Sequence, residues 1–501
     1  MKAKGLPYYV TVILCGMMLI QLNCSDSSDS SGDPFEVYQT VDERFLSIAV
    51  DSSRGLARDT GSEYLVVFDY NNPRLRRMAQ ELAPGYLRIG GSDADVALYV
   101  LSGDPPADLP EPYNRLLTGE LWDTINDFAA AIGFDLMFTL NAGPGPRDGN
   151  DQWIPDMARE LIEYTVAKGY PVAVWEFGNE INGFTLYHDG WGITAEQYVD
   201  DLGTVRGLID QEDPGALLAG PANFWIPVLG EIFPLYHDIM EGGGHLLDIV
   251  TWHYYPQASD RCEVYPRYAT PYLLMEPENL DEIVPWADEA EGAAEQYAPD
   301  AEIWLGETSN AQCGGQLGIS DVFVAGFWWL DQLGLIAKRG QKVTVRQTLA
   351  GDVYGLIDPE TLEPRPDYWN SLLWNRLMGP RVLNIAPEDE QPYLRTYAHC
   401  TAERAPGYTP GSITALAINL DRENPATVAF EGLSGPMEIY RITTNDLFGK
   451  EVYLNGVLLQ TDESGDPPDI LPEEVDQQYI TLEPATYAFI VFTNPGTGVC
   501  K

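Results

Sequence analysis

Two apolar segments of this 501-residue chain end in a carboxylate. The segment VAVWEFGNE (172–180) ends in Asn179 and Glu180, and AEIWLGE (301–307) ends in Glu307. A single glutamate at a strand end is often only solvated, but two such acids on one rim can flank a scissile bond. Glycoside hydrolysis needs such a pair, one carboxyl group as proton donor and the other as nucleophile or base. The pattern therefore predicts that Glu180 and Glu307 form a catalytic pair.

Short apolar runs supply the strands that would position these acids. Eight runs are predicted as strands, at residues 45–51, 86–91, 135–143, 172–180, 216–223, 246–255, 301–307 and 342–351. Each run is nearly continuous in apolar residues, as expected for a strand that is buried on both faces. Glu180 ends the fourth run and Glu307 ends the seventh.

Amphipathic stretches between these runs predict helices. They lie at residues 70–82, 121–133, 155–168, 194–212, 228–241, 281–297 and 318–336. Alternating strands and helices over residues 45–384 predict an α/β fold, a (β/α)₈ TIM barrel. A doubly wound open sheet is the alternative, but no G-x-G-x-x-G turn follows the first strand.

A barrel of this kind brings the polar ends of its strands together, because its functional residues lie at the C-terminal ends of the strands. These ends are Gly90-Gly91-Ser92, Asn141, Asn179-Glu180, Asn223, His253-Tyr254-Tyr255, Glu307-Thr308 and Arg346-Gln347. Two carboxyl groups about 5–5.5 Å apart on such a rim would hydrolyse a glycoside with retention of configuration.

The sequence pattern changes in the regions before and after the predicted barrel. Residues 385–501 contain short alternating strands separated by turns, which predict a C-terminal β-sandwich domain. Residues 36–44 are expected to add a strand to that sandwich. Residues 25–35 are rich in Ser and Asp and are predicted to form a linker.

The first residues have the pattern of an export signal, over residues 1–24. Lys2 and Lys4 precede an apolar stretch at 8–22, and Cys24 and the polar tether SDSSDSSGD follow it. This arrangement resembles a bacterial lipoprotein signal, so Cys24 is a candidate for lipidation. The protein is then expected at a bacterial cell surface or in the periplasm, held by a lipid anchor. Simple secretion and an uncleaved anchor are the alternatives.

The charge of the chain excludes some classes of partner. The sequence has 76 acidic and 29 basic residues, for a formal net charge of −47. Nucleic acid is not an expected partner, because its binding depends on Lys and Arg that neutralise phosphates. Anionic membranes and highly sulfated glycans are disfavoured for the same reason.

The six cysteines leave the disulfide pattern open. Cys15 and Cys24 fall in the export signal, and the other four are Cys262, Cys313, Cys400 and Cys500. Disulfides can persist in an exported protein, and four cysteines allow three pairings, among which the sequence does not choose. Neither a close C-x-x-C pair nor a histidine cluster indicates a metal site, and we expect no organic cofactor.

Longer stretches around the two acids resemble a known family. WEFGNE (175–180) and WLGETS (304–309) are similar to the two catalytic motifs of glycoside hydrolase family 79, which includes heparanases and bacterial β-glucuronidases. The similarity extends to residues 86–95, 250–255, 320–340, 344–358, 364–379, 397–401, 415–420 and 452–459. It covers most of the chain after the export signal. The Glu307 motif is specific, whereas Asn-Glu alone is shared by a wider clan of barrel glycosidases.

The resemblance implies a role for each residue of the two motifs. Glu180 would be the acid/base and Glu307 the nucleophile of a retaining β-glucuronidase. Asn179 would hold the 2-hydroxyl of the sugar, a contact that strengthens in the transition state. Tyr255 would orient the nucleophile.

The resemblance also implies how a glucuronate would be held. A glycine-rich loop after the nucleophile, here Gly314 and Gly315, would present backbone N–H groups to the sugar carboxylate. Tyr354 would bind the same group. Further expected sugar contacts are Asp51, Ser92 and Gln347. A simple turn at the two glycines and a packing role for Tyr354 are the alternative interpretations.

Two disulfides follow from the same resemblance. It implies a bond between Cys400 and Cys500 in the last domain, and with that pair assigned it implies a second bond between Cys262 and Cys313. The second bond would fix the glycine-rich loop beside Glu307.

The chain departs from heparanase in two respects. Few bases lie near the predicted rim, and no long insert resembles the excised linker of the animal proenzyme. The expected substrate is therefore an oligo- or polysaccharide that contains glucuronate with little or no sulfate. Exo and endo cleavage are both open. The alternatives are a surface lipoprotein that binds polysaccharide without cleaving it, and a barrel glycosidase of another specificity.

Overall fold

The computed structural model describes residues 35–262 and 266–501. The predicted export signal, the lipidation candidate Cys24 and nearly all of the predicted linker lie outside the described residues. Within the described part of the chain, the helices are all too short or too polar to cross a membrane.

Eight parallel strands form a closed barrel, as the sequence predicts. They are β1 (Leu46–Asp51), β2 (Gly85–Gly90), β3 (Phe134–Leu140), β4 (Val172–Phe177), β5 (Leu217–Trp225), β6 (Ile249–Tyr254), β7 (Glu302–Thr308) and β8 (Val343–Arg346). Each strand pairs with the next in sequence, and β8 pairs with β1, with Thr344 opposite Leu46. This closure rules out the open doubly wound sheet.

The barrel interior changes from apolar to polar along the strands. A buried cluster takes residues from every barrel strand: Ala49, Tyr86, Met137, Val174, Ala219, Ile249, Trp304, Val343 and Val345. Successive side chains of a strand point to opposite faces, so the residue two positions further on also points inward. Those positions hold Arg88 on β2, Thr139 on β3, Glu176 on β4 and Thr251 on β6, all fully buried. A polar layer therefore lies on top of the apolar one, directly below the predicted rim.

Eight helices surround the barrel, one after each strand. They are α1 (Pro73–Gln80), α2 (Gly119–Ile132), α3 (Asp156–Lys168), α4 (Ala195–Glu212), α5 (Tyr236–Gly243), α6 (Ile283–Tyr297), α7 (Ala325–Arg339) and α8 (Pro366–Leu377). The predicted helices at 228–241 and 318–336 were placed too early, since α5 begins at Tyr236 and α7 at Ala325. The sequence pattern did not predict α8.

Smaller elements lie in the loops of the barrel. Short α-helices span Ser52–Gly55, Phe184–Tyr187 and Pro277–Leu280, and 3₁₀ helices span Ser92–Val96, Ile181–Gly183, Gly244–Leu246 and Pro271–Met275. A four-stranded sheet forms from Ala57–Asp59, Tyr64–Leu65, Ala97–Val100 and Arg115–Thr118. The sequence pattern did not predict this sheet.

An antiparallel region follows the barrel. Its nine-stranded sheet contains Val37–Thr40, Met378–Leu383, Leu394–Thr401, Ile413–Asn419, Met437–Thr443, Tyr453–Leu454, Val457–Leu458, Glu473–Val475 and Thr486–Phe492. A two-stranded sheet, Ala426–Val428 with Ile480–Leu482, shares a buried core with one face of it. Two packed layers make this region a sandwich. The strand Val37–Thr40 pairs with Met378–Leu383, so the segment before the barrel returns to the region after it.

Candidate active site

The turn after β4 places Glu180 at the C-terminal rim of the barrel. Gly178 has a φ of 75° and Glu180 a φ of 52°, both in the left-handed region. A β-carbon at Gly178 would lie 2.9 Å from the β-carbon of Ala142, and together with the positive φ this contact favours glycine there. The backbone N–H of Glu180 donates to the carbonyl oxygen of Ala222 in β5 at 2.9 Å, which ties the turn to the next strand.

Glu180 lies in a nearly closed environment, with 5% of its surface exposed. The hydroxyl of Tyr187 donates to one carboxylate oxygen at 2.7 Å. The Nδ1 atom of His253 lies 3.3 Å from the other oxygen. Both partners of Glu180 can carry a proton, and neither is a fixed cation like an arginine.

Glu307 has a different set of neighbours. Arg88 donates to one carboxylate oxygen at 2.7 Å, and the hydroxyl of Tyr255 donates to the other at 2.5 Å. Burial alone would raise the pKa of Glu307, but the charges of His253 and Arg88 and these two hydrogen bonds hold the pKa below its ordinary value. Glu307 is therefore an anion over the physiological pH range.

The two carboxyl groups are close neighbours. One oxygen of Glu180, one oxygen of Glu307 and one ring nitrogen of His253 all lie within 4.8 Å of one another. Three such atoms are also a possible donor set for a divalent cation. The carboxylates, however, already accept hydrogen bonds from Tyr187, Tyr255 and Arg88, which satisfies part of their bonding capacity without a metal.

Arg88 is the residue that joins the pair to the barrel interior. It is fully buried on β2 and donates to Glu176 at 2.9 Å, to Glu307 at 2.7 Å and to the side-chain oxygen of Asn179 at 2.8 Å. Burial alone would lower the pKa of the guanidinium, but Glu176 and Glu307 raise the pKa above its ordinary value. We did not identify Arg88 from the sequence, although a lone arginine inside the apolar strand YLRIG is an available signal.

Asp95 is a second residue that sequence reasoning missed. Its two oxygens accept from the backbone N–H groups of Ala142 and Asn179, each at 2.9 Å. Burial raises the pKa of this carboxyl group to about 8, against the opposing effect of the two N–H donors. Asp95 thereby connects the loop after β3 to the turn that carries Asn179 and Glu180.

A cavity of about 450 Å³ opens above the pair. Of the residues predicted to form the site, it is lined by Asp51, Ser92, Asn179, Glu180, Tyr255, Glu307, Gly314, Gln347 and Tyr354. The structure adds Gly91, Asp93, Tyr187, Arg261, Gln312, Cys313 and Asp352 to the lining. Gly315 is the one predicted residue outside this set.

Gly315 lies outside the cavity lining, where the loop after β7 packs against the loop after β8. A β-carbon there would lie 2.8 Å from the backbone nitrogen of Tyr354 and 3.0 Å from the side chain of Ser320. The glycine thus lets the loop after β7 approach the loop after β8. The N–H of Val353 donates to the carbonyl oxygen of Gly314 at 2.8 Å across the same contact.

One wall of the cavity is formed by Asp51, Gln347 and Tyr354. The side-chain amide of Gln347 donates to Asp51 at 2.6 Å and also hydrogen-bonds to Tyr354. Burial, and then the negative charge of Glu307, raise the pKa of Asp51 to about 7. The ring of Tyr354 lies 6.5 Å from the ring of Tyr255, centre to centre. Because the hydroxyl of Tyr255 donates to Glu307, this wall of the cavity extends to Glu307.

Both disulfides that the resemblance implies are present. Cys262 is bonded to Cys313, and Cys400 to Cys500. The first bond joins the loops after β6 and β7 at the cavity, and the second lies in the antiparallel region.

Comparisons with known proteins agree with this architecture. The profile described as "Glycosyl hydrolase family 79, N-terminal domain" matches residues 59–334. Heparanase from Gallus gallus is 32% identical, over 84% of this chain and 86% of its own. Baicalin-beta-D-glucuronidase from Scutellaria baicalensis is 32% identical, over 87% of this chain and 85% of its own.

A solved structure shares the fold at lower sequence similarity. The 4-O-alpha-L-rhamnosyl-beta-D-glucuronidase from Fusarium oxysporum superposes with a TM-score of 0.65 at 17% identity, covering 91% of this chain and 97% of that one. The profile match spans more than half of the chain, and the two relatives are similar over most of their length. The chain therefore belongs to glycosyl hydrolase family 79.

Proposed function

We propose that this protein is a retaining glycoside hydrolase that cleaves β-glucuronide linkages. The observation that carries the proposal is the pair of carboxyl groups with oxygens within 4.8 Å of each other, inside a cavity at the C-terminal ends of the barrel strands. Retaining glycosidases place their two carboxyl groups about 5–5.5 Å apart, whereas inverting enzymes need about 6.5–9.5 Å to fit a water molecule.

The surroundings of the two acids suit two different roles. Glu307, an anion held by Arg88 and Tyr255, would attack the anomeric carbon and form a covalent glycosyl-enzyme bond. Glu180, beside Tyr187 and His253, would donate a proton to the leaving oxygen as the glycosidic bond breaks. It would then take a proton from the water that cleaves the glycosyl-enzyme, which releases Glu307 as a carboxylate and returns the proton to Glu180.

The other lining residues would hold the sugar. Asn179, whose side-chain oxygen is fixed by Arg88, would use its amide group on the 2-hydroxyl. Asp51, Ser92 and Gln347 would contact other hydroxyls from the ends of β1, β2 and β8. These contacts would orient the ring for in-line attack by the nucleophile.

Support for a glucuronide comes from the relatives and from the cavity. Two relatives carry the names heparanase and baicalin-beta-D-glucuronidase, and the Fusarium structure is also named as a glucuronidase. Gly314 and Tyr354 line the part of the cavity in which we place the sugar carboxylate. The net charge of −47 favours a substrate with little sulfate, such as an oligo- or polysaccharide with unsulfated glucuronate.

We place this activity outside the cytoplasm. Two disulfides support an exported protein, because such bonds persist in oxidising compartments. A bacterial surface or periplasmic location with a lipid on Cys24 extends this proposal. Mass spectrometry of the mature protein from its membrane fraction tests the extension, and a chain without a lipid mass on Cys24 contradicts it.

The proposal is tested with aryl glycosides of one leaving group. We expect turnover of the β-glucuronide, with much slower turnover of the β-glucoside, β-xyloside and α-arabinofuranoside. Glu307→Gln should remove the activity. Glu180→Gln should slow turnover least for the aryl glucuronide with the best leaving group, because that leaving group needs the least protonation to depart. Absence of glucuronide turnover, or full activity of Glu307→Gln, would refute the proposal. A binding protein without catalysis would retain the sugar and release no aryl alcohol.

A further inference from the structure

We propose that Arg261, anchored by the Cys262–Cys313 disulfide, selects the acidic sugar by pairing with its carboxylate. The inference rests on the proposed function, since it concerns the group that distinguishes a glucuronide from a glucoside. Arg261 lies on the loop after β6 and lines the cavity next to Cys313 and Gly314.

The charges around the cavity favour a cation as an additional partner for an acidic substrate. Its described lining includes five acidic side chains, Asp51, Asp93, Glu180, Glu307 and Asp352. Arg261 is the one basic side chain in the same described lining. A sugar carboxylate that enters this cavity meets several acidic groups, and a nearby cation would offset their repulsion.

The partners of the nearby charges leave Arg261 available. Asp352 is paired with Arg54 at 3.0 Å, and Asp93 is paired with Arg115 at 2.7 Å. Arg88 below the cavity is already engaged with Glu307 and Glu176. Arg261, by contrast, has no carboxylate within 4.0 Å in residues 35–262 and 266–501.

The guanidinium is placed at the predicted carboxylate subsite. Its Nη2 atom donates to the carbonyl oxygen of Gly315 at 2.5 Å. A β-carbon on Gly314 would lie 2.8 Å from the same Nη2 atom, so glycine makes room for the arginine there. The remaining N–H groups form a fork that fits a carboxylate in two parallel hydrogen bonds.

The disulfide and a hydrogen bond from Ser259 position the loop that carries Arg261. Cys262, its neighbour in sequence, is bonded to Cys313, which precedes Gly314. Ser259 donates through its hydroxyl to the carbonyl oxygen of Cys313 at 3.1 Å. The loop that carries the arginine and the loop that carries the glycines are therefore joined, which places the backbone of Arg261 beside the turn, and its exposed side chain is held there by the hydrogen bond to Gly315.

The first experiment compares an aryl β-glucuronide with its methyl ester, which lacks the charge and is larger by one methyl group. Arg261→Gln should lower kcat/KM for the acid by about 10- to 100-fold, the effect of losing a charged hydrogen bond. The ester should change by less than about twofold. Arg261→Lys should fall between, since it keeps the charge without the fork. Equal losses for acid and ester, or no loss for either, would overturn the inference.

A matched control removes an equivalent arginine elsewhere. Arg441 donates to the backbone carbonyl of Thr481 at 2.7 Å in the antiparallel region. Arg441→Gln should leave the ratio of acid to ester hydrolysis unchanged. A drop in that ratio equal to the drop in Arg261→Gln would show a general charge effect and overturn the inference.

A binding measurement separates this inference from the proposed function. Calorimetric titration of Glu307→Gln with the aryl glucuronide should show an affinity that adding Arg261→Gln weakens by about 10- to 100-fold, whether or not the wild type turns the compound over. No turnover by the wild type refutes the proposed function, and equal affinities refute the role of Arg261.

The disulfide is tested with paired double variants. Cys262→Ser with Cys313→Ser should lower the acid-to-ester ratio toward the value of Arg261→Gln. Cys400→Ser with Cys500→Ser, which removes the other disulfide, should keep the wild-type ratio. An unchanged ratio in the first double variant would contradict the anchoring role.

Discussion

Removal of Arg88 should alter both stability and the pH dependence of catalysis. The guanidinium is fully buried and donates to Glu176, Glu307 and Asn179 at 2.7–2.9 Å. Arg88→Met fills much of the same volume without charge or donors. Glu176 would keep only the hydroxyls of Thr139 and Thr251 as partners, and Glu307 would keep Tyr255.

The size of the effect follows from the burial of these charges. Breaking a buried ion pair by removing one partner costs about 3–5 kcal/mol, because the other charge stays buried. An adjacent arginine lowers a carboxyl pKa by about 1–3 units, so its loss should raise the pKa of Glu307 by a similar amount. The nucleophile must be ionised, and hence the acidic limb of the kcat/KM profile should move to higher pH.

The sign of the stability change also depends on pH. The lowered pKa of Glu307 in the folded protein stabilises the fold above the unfolded pKa and is lost as pH falls through the folded value. Arg88→Met should therefore lose most stability near neutral pH and less in acid. Urea unfolding at several pH values and kcat/KM profiles on an aryl glucuronide measure the two effects. A stability loss under 1 kcal/mol, or an acidic limb that does not move in Arg88→Met, would refute the reasoning.

Three further predictions concern single contacts. Tyr255→Phe removes the 2.5 Å hydrogen bond to Glu307, so the acidic limb of kcat/KM should move to higher pH while the melting temperature changes little. Asp51 has its folded pKa raised to about 7, so it stabilises the fold at low pH and loses that effect as pH rises toward 7. Asp51→Asn should therefore gain stability over the wild type between pH 5 and 8 in thermal unfolding. Cys400→Ala with Cys500→Ala opens a loop of 100 residues and should destabilise by about 4.7 kcal/mol in urea unfolding, with unchanged kcat/KM.

The barrel could be predicted from sequence because its strands are buried on both faces. Such strands give apolar runs that alternate with amphipathic helices, and each run agreed with a strand in the structure. The start of α5 was misplaced because the preceding segment is apolar yet exposed, with Val228 61% and Leu229 60% exposed. Helix α8 is buried on nearly all sides, so it lacks the polar face that marks an amphipathic helix.

The candidate pair was predictable because strand ends meet on one rim, whatever their separation in sequence. The supporting network was not, because its contacts join residues with no common local pattern. Arg88 reaches Glu307 across 219 positions and Asp95 reaches Asn179 across 84. The environment of Arg261 likewise depends on three loops that only the fold brings together.

The most direct test of the proposed mechanism is the configuration of the first product. Proton NMR of the wild-type enzyme with an aryl β-glucuronide, recorded before mutarotation, identifies the anomer of glucuronic acid that is released. The short separation of Glu180 and Glu307 predicts the β-anomer first, because two displacements restore the original configuration. Initial release of the α-anomer would contradict the assignment of Glu307 as the nucleophile.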